Sequence, residues 1–233
     1  SKYYQPKSIE DFKKKLLFWA QQFDDVVWLD SNNDNLKYSS YDAVLAVDAF
    51  TSIKTDYINA FDKLNEYQSI TQDWLFGYLT YDLKNDTEQL QSQNFDGLDF
   101  PDLYFFQPKK IFFIKGNRLT IQYLKLVDDE FKQDLKDIKK VSLKKTNTSN
   151  NVKISLRMHK DEYFSKVNKM LEHIHRGDIY EANFCQEFYA EDTPIHPYDT
   201  YEKLNAISKP PFASLLKIYD KYLVSASPER YIM

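Results

Sequence analysis

The chain has 233 residues, of which 42% are hydrophobic and 16% aromatic, with only 4 Gly and 8 Pro. This composition is typical of a packed globular protein and excludes a disordered one. The formal net charge of −4 gives no basic surface for nucleic acid, and no run of about 18 apolar residues or apolar leader indicates a membrane-spanning or secreted chain.

The first 145 residues alternate between helical and strand patterns. Apolar residues at helical spacing predict helices at 9–23 and from about 128, and apolar runs predict strands at 26–30, 41–50 and 74–83. Gly77 interrupts the last of these strands, which often marks the close approach of another backbone or a ligand. Two apolar runs that flank Gly116 and Asn117 predict a hairpin over 110–124.

The polar stretch "KKTNTSNN" (144–151) has no periodicity and is the best linker in the chain, so we predict two regions, 1–145 and 152–233. The second region is predicted to contain a helix from about 161 that ends at Gly177, a strand over 178–190, a helix over 198–207 and a hairpin over 212–227. Antiparallel hairpins with a few helices predict an α+β fold, with an antiparallel β-sandwich core flanked by helices.

The single cysteine, Cys185, excludes an internal disulfide and favours a cytoplasmic location. No base or orienting group adjoins it in the sequence, so the pattern does not indicate a nucleophile. We expect a buried structural thiol, because free cysteines are among the most buried residues.

The C-terminal stretch "YLVSASPERYIM" places a carboxylate, Glu229, directly after a strand and a rigid proline. A carboxylate fixed in this way suits proton transfer, which requires a well-defined position. A surface salt bridge with the neighbouring Arg230 is the alternative interpretation.

Five stretches, taken in order, resemble the chorismate-utilising enzymes, the family of anthranilate synthase and aminodeoxychorismate synthase large subunits. They are "WLDS" (28–31), "FGYLTYDL" (76–83), "GDIYEANFCQEF" (177–188), "KPPFASLL" (209–216) and "SASPERY" (225–231). The fourth departs from the family's Asn-Pro-x-Pro-Tyr/Phe segment, whose leading Asn is Lys209 here. The resemblance covers essentially the whole chain.

The resemblance implies a role for Glu229 as the general acid that protonates the departing C4 hydroxyl of chorismate. It also implies Mg²⁺ on a substrate carboxylate and ammonia from a glutamine amidotransferase partner. Family members are roughly twice the length of a single domain of about 200 residues. We therefore expect the N-terminal half of such an enzyme, with Mg²⁺ ligands downstream of Met233 and no metal site in this chain.

The resemblance leaves the product open between aminodeoxychorismate and anthranilate, with isochorismate or salicylate synthesis as a third alternative. Asn183 and the stretch "DLYFFQPKKIFF" (102–113) favour aminodeoxychorismate, and with it p-aminobenzoate and folate synthesis. Anthranilate synthase, which serves tryptophan synthesis, is the alternative, because the deciding position lies beyond Met233.

The family also has a tryptophan pocket, whose parts correspond to Ser31, Tyr38, Pro211 and Phe212. An indole ring requires such an apolar wall with a few polar anchors. Relatives of the aminodeoxychorismate type place an Arg shortly after the Tyr, whereas this chain has Ser40. A tryptophan site and ordinary core packing both stay open for these residues.

Two hypotheses of other classes also stay open. One is a non-catalytic module that binds an aromatic amino acid through Ser31 and Phe212. The other is a scaffold that only docks the amidotransferase, for which an exposed, aromatic-rich patch would be the mark.

Overall fold

The computed structural model of the chain describes residues 1–34, 40–143 and 152–230. Its strands are β1 (Lys2–Tyr4), β2 (Asp25–Asp30), β3 (Ala43–Thr55), β4 (Phe76–Leu79), β5 (Leu103–Lys115), β6 (Arg118–Tyr123), β7 (Ser155–Leu156), β8 (Phe188–Tyr189), β9 (Phe212–Ile218) and β10 (Lys221–Ser227). Its α-helices are α1 (Ile9–Ala20), α2 (Ala60–Thr71), α3 (Lys84–Thr87), α4 (Phe131–Lys140), α5 (Lys160–Arg176) and α6 (Pro197–Ser208). None of these helices is long and apolar enough to cross a membrane.

The first compact unit, residues 1–145 with 197–233, is built on one antiparallel sheet of eight strands. The strand order is β1-β6-β5-β3-β2-β9-β10, and β4 pairs with β5 beside this path. The predicted hairpin is confirmed as β5 and β6, which turn at Gly116, where a φ of +55° suits a glycine. The hairpin predicted over 212–227 is confirmed as β9 and β10.

Both faces of this sheet carry apolar side chains. On one face α1, α4 and α6 share a core with the strands, and fully buried side chains include Leu16, Trp28 and Phe112. The Trp28 indole Nε1 donates a hydrogen bond of 2.9 Å to the Tyr201 hydroxyl of α6, which satisfies a buried polar group. The other face has a second apolar cluster around Val27, Phe106 and Phe113. Helices and an antiparallel sheet confirm the α+β class.

The second compact unit, residues 146–196, contains α5 and the two-stranded ladder of β7 and β8. As predicted, α5 ends at Gly177, whose φ of +85° allows the Asp178 amide to donate to the His173 carbonyl. The strand predicted over 178–190 is wrong except for Phe188–Tyr189. The prediction of a buried thiol is also wrong, because Cys185 is exposed in this largely irregular segment.

The predicted regions do not coincide with the compact units. A boundary near residue 145 appears in both, but the chain returns to the first unit at Pro197 because β9 pairs with β2. Tertiary pairing between segments so far apart in the chain leaves no local signal in the sequence. The predicted linker, 144–151, lies outside the described residues.

The predicted close approach of another backbone at Gly77 is confirmed. This glycine lies in β4 opposite Phe105, and a Cβ added there would lie 1.9 Å from the Tyr104 carbonyl oxygen and 2.7 Å from the Phe105 Cα. Neither backbone atom can move without separating β4 from β5. We expect Gly77→Ala to lower the free energy of unfolding by about 3 kcal/mol, measured by denaturant unfolding.

The matched control is Gly116→Ala. Nothing lies within 4 Å of a Cβ added at Gly116, so only its positive φ opposes the substitution. That costs about 1 kcal/mol. A Gly77→Ala variant at least as stable as Gly116→Ala would contradict the steric argument.

Candidate active site at one end of the sheet

Three strand ends meet at one end of the main sheet. In the antiparallel ladders, Asp30 at the end of β2 pairs with Ala213 of β9, and Ser227 at the end of β10 pairs with Phe212. The residues just beyond these pairs, Ser31 and Glu229, therefore belong to the same end of the sheet. We call this region the strand-end site.

Glu229 lies in a tight turn after β10. Its backbone amide donates a hydrogen bond to the Ser227 hydroxyl at 3.2 Å. The same hydroxyl donates a hydrogen bond to the Glu229 carbonyl oxygen at 3.1 Å. Proline at position 228 fixes φ between these two residues. The Glu229 side chain is exposed, and no ion pair to it occurs in the described part of the chain. The alternative of a salt bridge with Arg230 is therefore not found: the guanidinium lies over the Phe212 ring instead, 5.2 Å from its centroid.

The structure brings together three of the four residues predicted for an aromatic pocket. Ser31 follows the last residue of β2, and Pro211 and Phe212 lead into the neighbouring β9. Tyr38 lies outside the described residues. Ser31 is only 8% exposed, and its hydroxyl has no hydrogen-bond partner among the residues described. Such a group is available to hydrogen-bond a ligand or water, since buried polar atoms are normally paired.

A network of side-chain amides, which no sequence pattern predicts, joins the residue after Ser31 to α6 and to the segment before β9. The Asn32 amide donates to the Asn205 side chain at 2.8 Å and to the Pro210 carbonyl at 2.7 Å. The Asn205 amide donates back to Asn32 at 2.9 Å. No sequence pattern marks Asn205, a partly buried residue of α6 that lies 173 positions from its partner.

A buried ion pair adjoins this network through Asn32. The Lys13 ammonium of α1 is 3.1 Å from the Asp30 carboxylate, and the two side chains are 7% and 8% exposed. The same carboxylate accepts the Asn32 backbone amide at 2.9 Å. Burial raises the pKa of Asp30, and the charge of Lys13 offsets this only in part.

The side chains that could hold a divalent cation do not cluster in the part of the chain that the structure describes. Mg²⁺ binds oxygen ligands, usually including carboxylates. No group of three or more His, Cys, Asp or Glu side chains lies together in the described ranges 1–34, 40–143 and 152–230. The described residues alone therefore do not supply a cluster of three such ligands for Mg²⁺.

Known proteins resemble this chain in sequence. A family model described as a chorismate binding enzyme matches residues 14–233. An anthranilate synthase component I-like protein of Synechocystis is 29% identical over 181 residues, which are 75% of this chain and 36% of that protein. Aminodeoxychorismate synthase component 1 of Escherichia coli is 30% identical over 76 residues, which are 33% of this chain and 17% of that protein.

The fold has a solved counterpart. Anthranilate synthase component I from Streptococcus pneumoniae superimposes with a TM-score of 0.66 at 16% identity, over 84% of this chain and 53% of that chain. At this identity the likeness supports the fold alone, and it agrees with the α+β class. The chain thus spans about half of the solved structure and a smaller share of the curated relatives.

Proposed function

This chain belongs to the chorismate binding enzyme family, which its sequence matches over residues 14–233, and we propose that it is part of a large-subunit aminodeoxychorismate synthase. The enzyme would convert chorismate and ammonia to 4-amino-4-deoxychorismate, the precursor of p-aminobenzoate for folate synthesis. A glutamine amidotransferase subunit would supply the ammonia. The reaction would also require Mg²⁺, whose ligands we expect outside the described residues.

The observation that carries the proposal is the place of Glu229. The sequence "SASPERY" resembles the family's acid-bearing segment, and its carboxylate is exposed at the strand-end site, held on both sides through its backbone. The net reaction exchanges the C4 hydroxyl of chorismate for an amino group and releases water. Because hydroxide is a poor leaving group, the Glu229 carboxylic acid would give its proton to that oxygen as the C–O bond breaks.

A second product is supported by the comparisons. The Synechocystis relative that covers 75% of this chain and the S. pneumoniae structure are both named for anthranilate synthase component I. In that case the acid at Glu229 would act on the same leaving hydroxyl, ammonia would add at C2, and loss of the enolpyruvyl group as pyruvate would give anthranilate. The aminodeoxychorismate assignment relies on Asn183 and the 102–113 stretch, as well as on the E. coli relative.

One assay separates these functions. The full-length gene product is incubated with chorismate, Mg²⁺ and ammonium, and the products are identified by liquid chromatography with mass detection. We expect ammonium-dependent formation of aminodeoxychorismate. Anthranilate would instead assign the chain to tryptophan synthesis. If chorismate is not consumed when ammonium is present, the enzyme proposal is wrong, and calorimetry with tryptophan would then test the binding-module hypothesis.

A further inference from the structure

Arg230 makes an unusual contact for a charged residue at a strand end. The chain leaves β10 at Ser227, turns at Pro228, and brings the Arg230 guanidinium back over the ring of Phe212 at 5.2 Å. Phe212 is the ladder partner of Ser227, so the turn closes on the residue opposite its own start. A guanidinium over an aromatic face is an attractive arrangement.

Glu229 lies between two anchors as a result. On its N-terminal side, the Ser227 hydroxyl bonds to the Glu229 amide and carbonyl. On its C-terminal side, Arg230 is held by Phe212. The Arg230 guanidinium lies over Phe212 and makes no ion pair with the Glu229 carboxylate in the described part of the chain.

We infer that Arg230 and Phe212 are positioning residues for Glu229, an inference that rests on the proposed function of Glu229 as the acid. A general acid must lie within hydrogen-bond reach of the oxygen that it protonates. A misplacement of about 1 Å can lower a rate by roughly 10²-fold. The Phe212 ring, predicted above as a pocket wall, thereby acquires a role that requires no bound ligand.

Kinetics of the full-length gene product test this inference. Arg230→Gln removes the cation, and Phe212→Leu removes the ring while keeping an apolar side chain. Each is expected to lower kcat at least about tenfold with KM changed by less than about threefold, because the acid is displaced but substrate binding is not. The double variant should lose no more than either single variant, since both remove the same contact. Arg230→Lys and Phe212→Tyr preserve the contact and should recover part of the loss.

Arg118→Gln is the matched control. Arg118 stacks over Tyr3 at 4.2 Å, a contact of the same kind between β6 and β1. Its loss should leave kcat unchanged. Additive losses at Arg230 and Phe212, or a large rise in KM at constant kcat, would overturn the inference, the latter because it would place Arg230 on the substrate.

Hydrogen exchange separates this inference from the proposed function. The Glu229 amide donates a hydrogen bond to the Ser227 hydroxyl, and in Arg230→Gln it should exchange at least about tenfold faster. Arg230→Lys should exchange more slowly than Arg230→Gln. If the wild-type protein does not consume chorismate, the proposed function is wrong. Amide exchange then still shows whether Arg230 positions Glu229. Equal exchange in wild type and Arg230→Gln overturns the inference.

Discussion

Glu229→Gln in the full-length gene product is expected to lower the rate of chorismate consumption about 10²- to 10⁴-fold, the usual contribution of a positioned general acid. Glutamine preserves the size of the side chain and can still donate a hydrogen bond, but it has no proton to transfer to a leaving hydroxyl. The anchors of the turn act on the Glu229 backbone and should survive the substitution. We therefore expect kcat to fall while KM and the melting temperature change little.

Glu202→Gln is a suitable control, because Glu202 is an exposed residue of α6 in the same compact unit. It should retain wild-type kinetics. A Glu229→Gln variant with kcat within about threefold of wild type would exclude Glu229 as the acid. The product should be identified in every case, so that a change of reaction is not read as a loss of rate.

The second large effect concerns stability. Lys13→Met is expected to lower the free energy of unfolding at neutral pH by about 3–5 kcal/mol, the usual cost of leaving one member of a buried ion pair without its partner. The orphaned group is the Asp30 carboxylate, which is 8% exposed and also accepts the Asn32 amide. Denaturant unfolding measured between pH 5 and pH 8 provides the test.

The sign of the pH dependence follows from Asp30. Its pKa in the folded chain is raised above the ordinary 3.8 by burial, so the folded state holds the proton more tightly than the unfolded state does. The stability that this proton contributes is present at low pH and is lost as the pH rises through the folded-state pKa. Without Lys13 this pKa should rise further, so the loss in Lys13→Met should shrink as the pH falls. A loss independent of pH would contradict the argument.

Two variants complete this experiment. Lys13→Met with Asp30→Asn removes both charges while leaving an oxygen for the Asn32 amide, and it should recover most of the lost stability. Lys15→Met removes a lysine of the same helix that pairs with Asp11 near the surface. Its effect should stay within about 0.5 kcal/mol.

Local sequence patterns were sufficient to predict an element of the fold wherever the contacts that stabilise it are local. The hairpin at Gly116 and the end of α5 at Gly177 depend on single residues that accept positive φ, and both were predicted. By contrast, no local sequence pattern predicted helix α2. Its N-terminal amides, those of Asn59 and Phe61, are capped by the Asp86 carboxylate from another segment, and Ala60 is its only buried residue.

The residues of the candidate site also differ in how far the sequence marks them. Glu229, Ser31 and Phe212 are candidates because their motifs resemble those of a known family, and their roles stay predictions. The partners that hold them could not be predicted, because Asn32 meets Asn205 only after β9 has paired with β2. The exposure of Cys185 was missed for a related reason: the segment around it forms little regular structure despite its apolar residues.

The position of β9 between β2 and β10 also constrains the order in which the molecule can be assembled. The hydrogen bond from Trp28 to Tyr201 joins residues 173 positions apart, and the pairing of β2 with β9 spans a similar length. During synthesis, one edge of β2 must wait until β9, at Phe212–Ile218, has emerged. Ladders that join distant segments close slowly, and an open apolar edge is prone to pair with other chains in the interval. The same return that completes the strand-end site thus makes β2 a point at which a nascent chain is exposed to misassembly.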